Sequence, residues 1–148
     1  MLETIAFVVV VSGVAIAGFY DLRTREIPNE ITYGLFVLGV LFAALTSQLG
    51  YALLALVLMI PFVALLGFLG GMGAGDAKLL LAISLFLGVA NTLYLMPVLV
   101  LVGALCALLY LSARAVSGSA ATWKPLPFAP AIFVTLCWVL IIPYSLVI

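Results

Sequence analysis

The sequence predicts an all-α, polytopic membrane protein: six transmembrane helices with both termini outside, forming a single domain over residues 1–148. Three observations lead there. The first is composition: 68% of the 148 residues are hydrophobic and only 7% charged, with a mean hydropathy of +1.50. Such a chain lacks the polar surface that a water-soluble domain needs. The second is a series of six apolar runs, at about 2–20, 31–47, 50–69, 77–90, 93–112 and 128–147. A helix needs about 20 apolar residues to cross the hydrocarbon core, with latitude for tilt and kinks. The third is where the five basic residues lie. Arg23 and Arg25 follow the first run, Lys78 follows the third, and Arg114 and Lys124 follow the fifth.

Each element can be justified in turn. The first run begins at once and carries Glu3 instead of a basic leader, so it reads as a span and no cleavable signal peptide is expected. The second and third runs meet at Thr46-Ser47-Gln48-Leu49-Gly50, a tight uncharged turn, and the fourth and fifth are expected to meet near Asn91-Thr92. Pro61 and Pro97 lie inside the third and fifth runs, where helix kinks with re-satisfied carbonyls are expected. The odd-numbered connections hold every Lys and Arg, so the positive-inside rule makes them cytoplasmic and puts both termini outside. An even number of spans requires both termini on one side, and the charge pattern agrees with that independently. The expected location is the inner (plasma) membrane, with the lipid bilayer as an obligate partner.

Composition also narrows the chemistry. With zero formal net charge and no histidine, nucleic-acid binding and histidine-based catalysis have nothing to stand on. Cys106 and Cys137 are far apart inside apolar runs and lack CxxC spacing, so they read as inert thiols, with no metal and no cofactor expected. A Ser-His or Cys-His mechanism is excluded and a Ser-Lys pair disfavoured.

Two carboxylates remain. Asp21 ends the first span and Asp76 begins the fourth, and the charge-derived topology puts both at the cytoplasmic face. An acid beside the bilayer is costly and marks a functional site by default. Two carboxyl groups sharing a site cannot both ionise readily; the ionised one can deprotonate water while the protonated one polarises a carbonyl. Each aspartate's own helix dipole places the shared proton on Asp21 and the resting charge on Asp76. The segment Gly70-Gly71-Met72-Gly73-Ala74-Gly75 before Asp76 exposes backbone against which an extended peptide can lie. The two aspartates meet if the first and fourth helices pack together, helped by small residues such as Gly13, Ala17, Gly18, and Gly67 with Gly71. A proton-coupled carrier using Asp21 and Asp76 is the alternative, and a subunit that assembles through small-residue faces is a third reading.

Three motifs carry a resemblance. Asp21-Leu22-Arg23-Thr24-Arg25-Glu26-Ile27-Pro28-Asn29 resembles the first aspartate motif of the type IV prepilin peptidases, an aspartate followed by Ile/Leu-Pro-Asn/Asp. Gly73-Ala74-Gly75-Asp76-Ala77-Lys78 resembles their GxGD-x-K motif, whose GxGD part is shared with presenilin-type intramembrane aspartyl proteases. Pro127-Phe128-Ala129-Pro130 resembles a Pro-Phe-x-Pro element of the family. The resemblance spans about residues 15–140 and implies that Asp21 and Asp76 are catalytic aspartates, cutting the leader from prepilin-like precursor peptides at the cytoplasmic face. Gly73 and Gly75 match the motif glycines. With Lys78 they form the candidate substrate contacts, to which Glu26 and Glu30 are added as acids that can attract a basic leader; plain solvated loop charge is the other reading of those two. The chain departs from many bacterial members in one respect. The connection after Asp21 is short and has no CxxC pair, so no N-methyltransferase activity is expected. This short form resembles the Tad/Flp pilus peptidases and, more loosely, the archaeal preflagellin peptidases.

Overall fold

A computed structural model describes residues 2–24, 26–68, 72–117 and 129–141. Among these residues there is no strand, and five helices follow in chain order: α1 (Leu2–Thr24), α2 (Asn29–Leu45), α3 (Leu49–Phe68), α4 (Ala74–Ser117) and α5 (Ala129–Ile141). Segments within α1, α3 and α4 are long and apolar enough to cross a membrane, and α2 is a shorter apolar helix.

Helix α4 is interrupted. Run straight, its 44 residues would span roughly 66 Å, about twice the hydrocarbon thickness. At Gly88 the backbone turns to φ 67° and ψ −176°, which divides α4 into arms 74–87 and 89–117. A positive φ is cheap only without a Cβ. The break therefore falls on the glycine, whereas the expected turn residues Asn91 and Thr92 stay helical in the second arm, with Thr92 fully buried. The expectation of a turn at Asn91-Thr92 is thus corrected by three to four residues, while the division of this stretch into two helical pieces holds. Pro61 lies inside α3 and Pro97 inside the second arm of α4.

The turn between α2 and α3 falls at Thr46 and Ser47, as expected. The N–H of Ser47 donates to the carbonyl of Ala44 at 3.2 Å, and that of Gln48 donates to the carbonyl of Ala43 at 2.9 Å. This is the paired bond pattern of a Schellman cap, in which the residue after the cap takes a left-handed conformation. Ser47 does so, at φ 58°, although glycine carries no Cβ penalty there.

Leu79, Leu80, Ile83, Leu95, Leu99, Ile132 and Leu136 of α4 and α5 fill the core, whereas α3 presents mostly small or slender residues inward and bulky ones outward. Along α3 the buried positions are Ala52, Ala55, Met59 and Val63, while Tyr51, Leu53, Leu54, Val57, Ile60, Leu65 and Phe68 are exposed. A soluble bundle would be patterned the other way. In lipid the tails are as apolar as leucine, so helices gain from close backbone approach over small residues. The tightest approaches are at Gly13, where an added Cβ would meet Leu35 Cδ2 at 2.6 Å, and at Gly39, where it would meet Leu85 Cβ at 2.9 Å and Phe86 Cε2 at 3.0 Å. Gly67 has open space around it, so it is not a close-packing site; its partner Gly71 lies outside the described residues.

These contacts predict different costs for two identical substitutions. Gly39→Ala pushes against a Cβ fixed to the α4 backbone and is expected to destabilise the chain by about 1–3 kcal/mol. Gly13→Ala meets only the flexible end of Leu35 and costs less, which thermal unfolding in detergent will order. Ser47→Gly removes the left-handed strain and is expected to raise stability by roughly 1 kcal/mol in the same measurement.

Candidate active site

Both aspartates sit in the buried register of their helices. On α1 the buried positions Ala6, Val10, Val14, Ala17 and Asp21 recur every three or four residues, so Asp21 continues the apolar stripe into the last turn. On α4 the stripe is Asp76, Leu79, Leu80, Ile83 and Leu87. Each aspartate is 7% exposed as a residue, and the two are close enough for their charges to interact.

Helices α1 and α4 do touch, as the sequence suggested, but most of the packing that frames the aspartates runs through other helices. Helix α1 packs mainly against α5 and α2, and α5 packs equally against α1 and α4. The last helix therefore lies between the two that carry the acids. Its first amide also touches the site: the Ala129 N–H donates to Asp21 Oδ2 at 3.2 Å. Asp21 thus lies at the negative end of its own helix and at the positive end of α5. The two dipoles oppose each other there, which removes the basis for placing the shared proton from α1 alone.

Asp76 is held by its own motif. The Gly73 N–H donates to Asp76 Oδ2 at 3.3 Å, and a Cβ at Gly73 would come within 3.3 Å of the same oxygen. Asp76 Oδ1 is buried and has no hydrogen-bond partner among the described residues. This is the oxygen available for hydrogen bonding into the site, because a buried polar atom is ordinarily paired.

The two aspartate motifs are joined to each other. Ile27, in the connection after Asp21, rests on Gly75, where an added Cβ would meet Ile27 Cβ at 3.2 Å. Lys78 Nζ donates to Asn29 Oδ1 at 2.9 Å and lies 5.5 Å from the centre of the Tyr33 ring. Of the candidate substrate contacts, Gly73 is exposed and Gly75 and Lys78 are half-buried, and the Lys78 ammonium is engaged within the chain. Glu26 and Glu30 are exposed, on the connection and on the first turn of α2. Arg25, Gly70, Gly71, Lys124, Pro127 and Phe128 lie outside the described residues. Sequence reasoning missed Ala129 and Asn29 as contributors; both stand inside the quoted motifs, but the first acts through its backbone and the second through a partner 49 positions away.

Comparison with known proteins shows the family. Residues 8–112 match the type IV leader peptidase family. The chain belongs to that family. It is 31% identical over 113 residues to a preflagellin peptidase of Methanocaldococcus jannaschii, an alignment covering 72% of this chain and 47% of the relative. It is 39% identical over 144 residues to a prepilin leader peptidase/N-methyltransferase of Bacillus subtilis, covering 88% of this chain and 53% of the relative. The chain thus spans about half the length of the curated relatives it matches. No solved structure matches it.

The Asp21–Ala129 bond gives a test that needs no substrate. Asp21→Asn keeps an acceptor for the Ala129 N–H and removes one of two like charges, so it is expected to unfold at or above the temperature of the parent. Asp21→Ala leaves that buried N–H unpaired and should be less stable than Asp21→Asn by about 1–3 kcal/mol.

Proposed function

We propose that this chain is a membrane aspartyl endopeptidase that removes the leader from type IV pilin-like precursors at the cytoplasmic membrane face. The observation that carries this reading is the pair Asp21 and Asp76. They are buried, come from different helices, and lie within electrostatic reach of each other in a chain of the leader peptidase family. In this reading α1, α2, α3, the two arms of α4, and α5 make six spans. The basic residues Arg23 and Lys78 lie at the end of the bundle that holds the aspartates, which supports the cytoplasmic assignment.

The chemistry follows from the pair. One carboxylate takes a proton from water, and the other carboxyl, protonated, donates to the scissile carbonyl oxygen. The hydroxide equivalent adds to the carbonyl carbon, the C–N bond breaks, and a proton passes to the departing amine. The backbone of Met72, outside any helix, offers hydrogen bonds to an extended substrate strand, while both backbone groups of Gly73 are engaged by Asp76 and Ala77. Gly73, Gly75 and the exposed Glu26 and Glu30 contribute to substrate binding, the two acids by attracting a basic leader. The connection between α1 and α2 carries no cysteine pair, so methyl transfer is not part of the proposed activity. A proton carrier would need ionisable groups across the bilayer. Helices α3 and α5 and the second arm of α4 contain no Asp or Glu.

Co-expression with a precursor bearing Gly at the leader boundary, followed by gel shift, tests the proposal. Processing is expected with the parent chain and is expected to fall by at least about 10²-fold in both Asp21→Asn and Asp76→Asn. A correctly inserted variant of either kind that cuts at the parent rate would overturn it.

A further inference from the structure

The Lys78 ammonium has no role in the two-carboxyl chemistry, yet it is held at two points. Asn29 Oδ1 accepts from Nζ at 2.9 Å, and the Tyr33 ring faces it at 5.5 Å. Both partners belong to the first turns of α2, whereas Lys78 stands one turn into α4, two residues beyond Asp76. On the neighbouring face Ile27 is seated on Gly75 at what would be Cβ contact distance. An apolar contact and a charged one therefore clamp the connection that leaves Asp21 onto the turn that carries Asp76. A charged donor to an amide oxygen is stronger than a neutral one, and the aromatic face adds electrostatic attraction.

We infer that Lys78 is a positioning residue: by tying the start of α2 to the start of α4 it fixes the separation of the Asp21 and Asp76 carboxyl groups, and it does not bind substrate. This rests on the peptidase reading for its catalytic consequence and on the contacts alone for its structural one. Misplacement of reacting groups by about 1 Å can cost up to about 10²-fold in rate, so loss of the tie registers in kcat. Lys78→Met keeps the stem and loses the charge. Asn29→Ala removes the acceptor. Each is expected to lower kcat by about tenfold or more with KM little changed, and the double variant falls no further than the worse single one. Lys78→Arg keeps a cation that can both donate to Asn29 and face Tyr33, and retains most of kcat. A rise in KM at unchanged kcat in Lys78→Met, or losses that multiply in the double variant, would overturn the assignment in favour of substrate binding.

A second readout is independent of cleavage. Spin labels on cysteines at the exposed positions Glu26 and Ala74, in a Cys106→Ser, Cys137→Ser chain, report the spacing of the two segments. A narrow distance distribution is expected with Lys78, and a broadened one with Lys78→Met or Asn29→Ala. Equal widths contradict the tie. If the parent chain cuts no precursor, the proposed function fails while these distances still decide the role of Lys78.

Discussion

Two carboxyl groups, each almost fully buried and each within reach of the other's charge, form the constraint on which the rest of this structure depends. Burying one ionisable group is expensive, and burying two of like sign more so, unless fixed donors and a rigid frame oblige them to stay. The frame here is distributed. One backbone N–H comes from the start of α5 and reaches Asp21; another comes from Gly73 and reaches Asp76. The connection after α1 is pinned to the first turn of α4 by Ile27 on Gly75 and by Lys78 on Asn29. Every one of these contacts joins elements distant in the chain or crosses a helix boundary, so the site belongs to the bundle and to no single motif.

The membrane setting explains why the frame is built from glycine, alanine and short turns. Hydrophobic burial cannot drive helices together when the surroundings are equally apolar. Contact between backbones has to do it, and Gly39 against Leu85 and Phe86 shows how little room remains. The same logic accounts for Gly88. A stretch of 44 helical residues cannot lie straight within one bilayer crossing. A residue without a Cβ gives the backbone its way out, near Phe42, Thr46 and Gln48 at the far end of α2 from the aspartates.

Much of this was legible in the residue string. Apolar run length marked the helix ends to within about five residues, apart from the end of the sixth run, which lies outside the described residues, because α-helix and bilayer set a common length scale. Charge placement put Asp21 and Asp76 on one side, and the buried-face period of three to four residues carries both into the core. The Asn91-Thr92 turn was misplaced because polar turn formers are a statistical signal, whereas the backbone needed the one residue that tolerates a positive φ. The route by which the aspartates meet was legible only in part. Small residues on α1 advertise close packing but not the partner, and the partner is α5 and α2 more than α4. The Ala129 amide leaves no trace in residue type, and the Lys78–Asn29 bond spans 49 positions. No pattern local to either residue encodes such a contact.

The central claim is that Asp21 and Asp76 occupy one site, and proximity can be measured directly. Cysteines at positions 21 and 76, in a chain with Cys106 and Cys137 replaced by serine and a protease site set into the Thr46–Gln48 turn, would be treated with a short bifunctional thiol reagent. The account predicts that after proteolysis the two fragments stay linked on a gel. Fragments that separate, although both thiols have reacted, would contradict it.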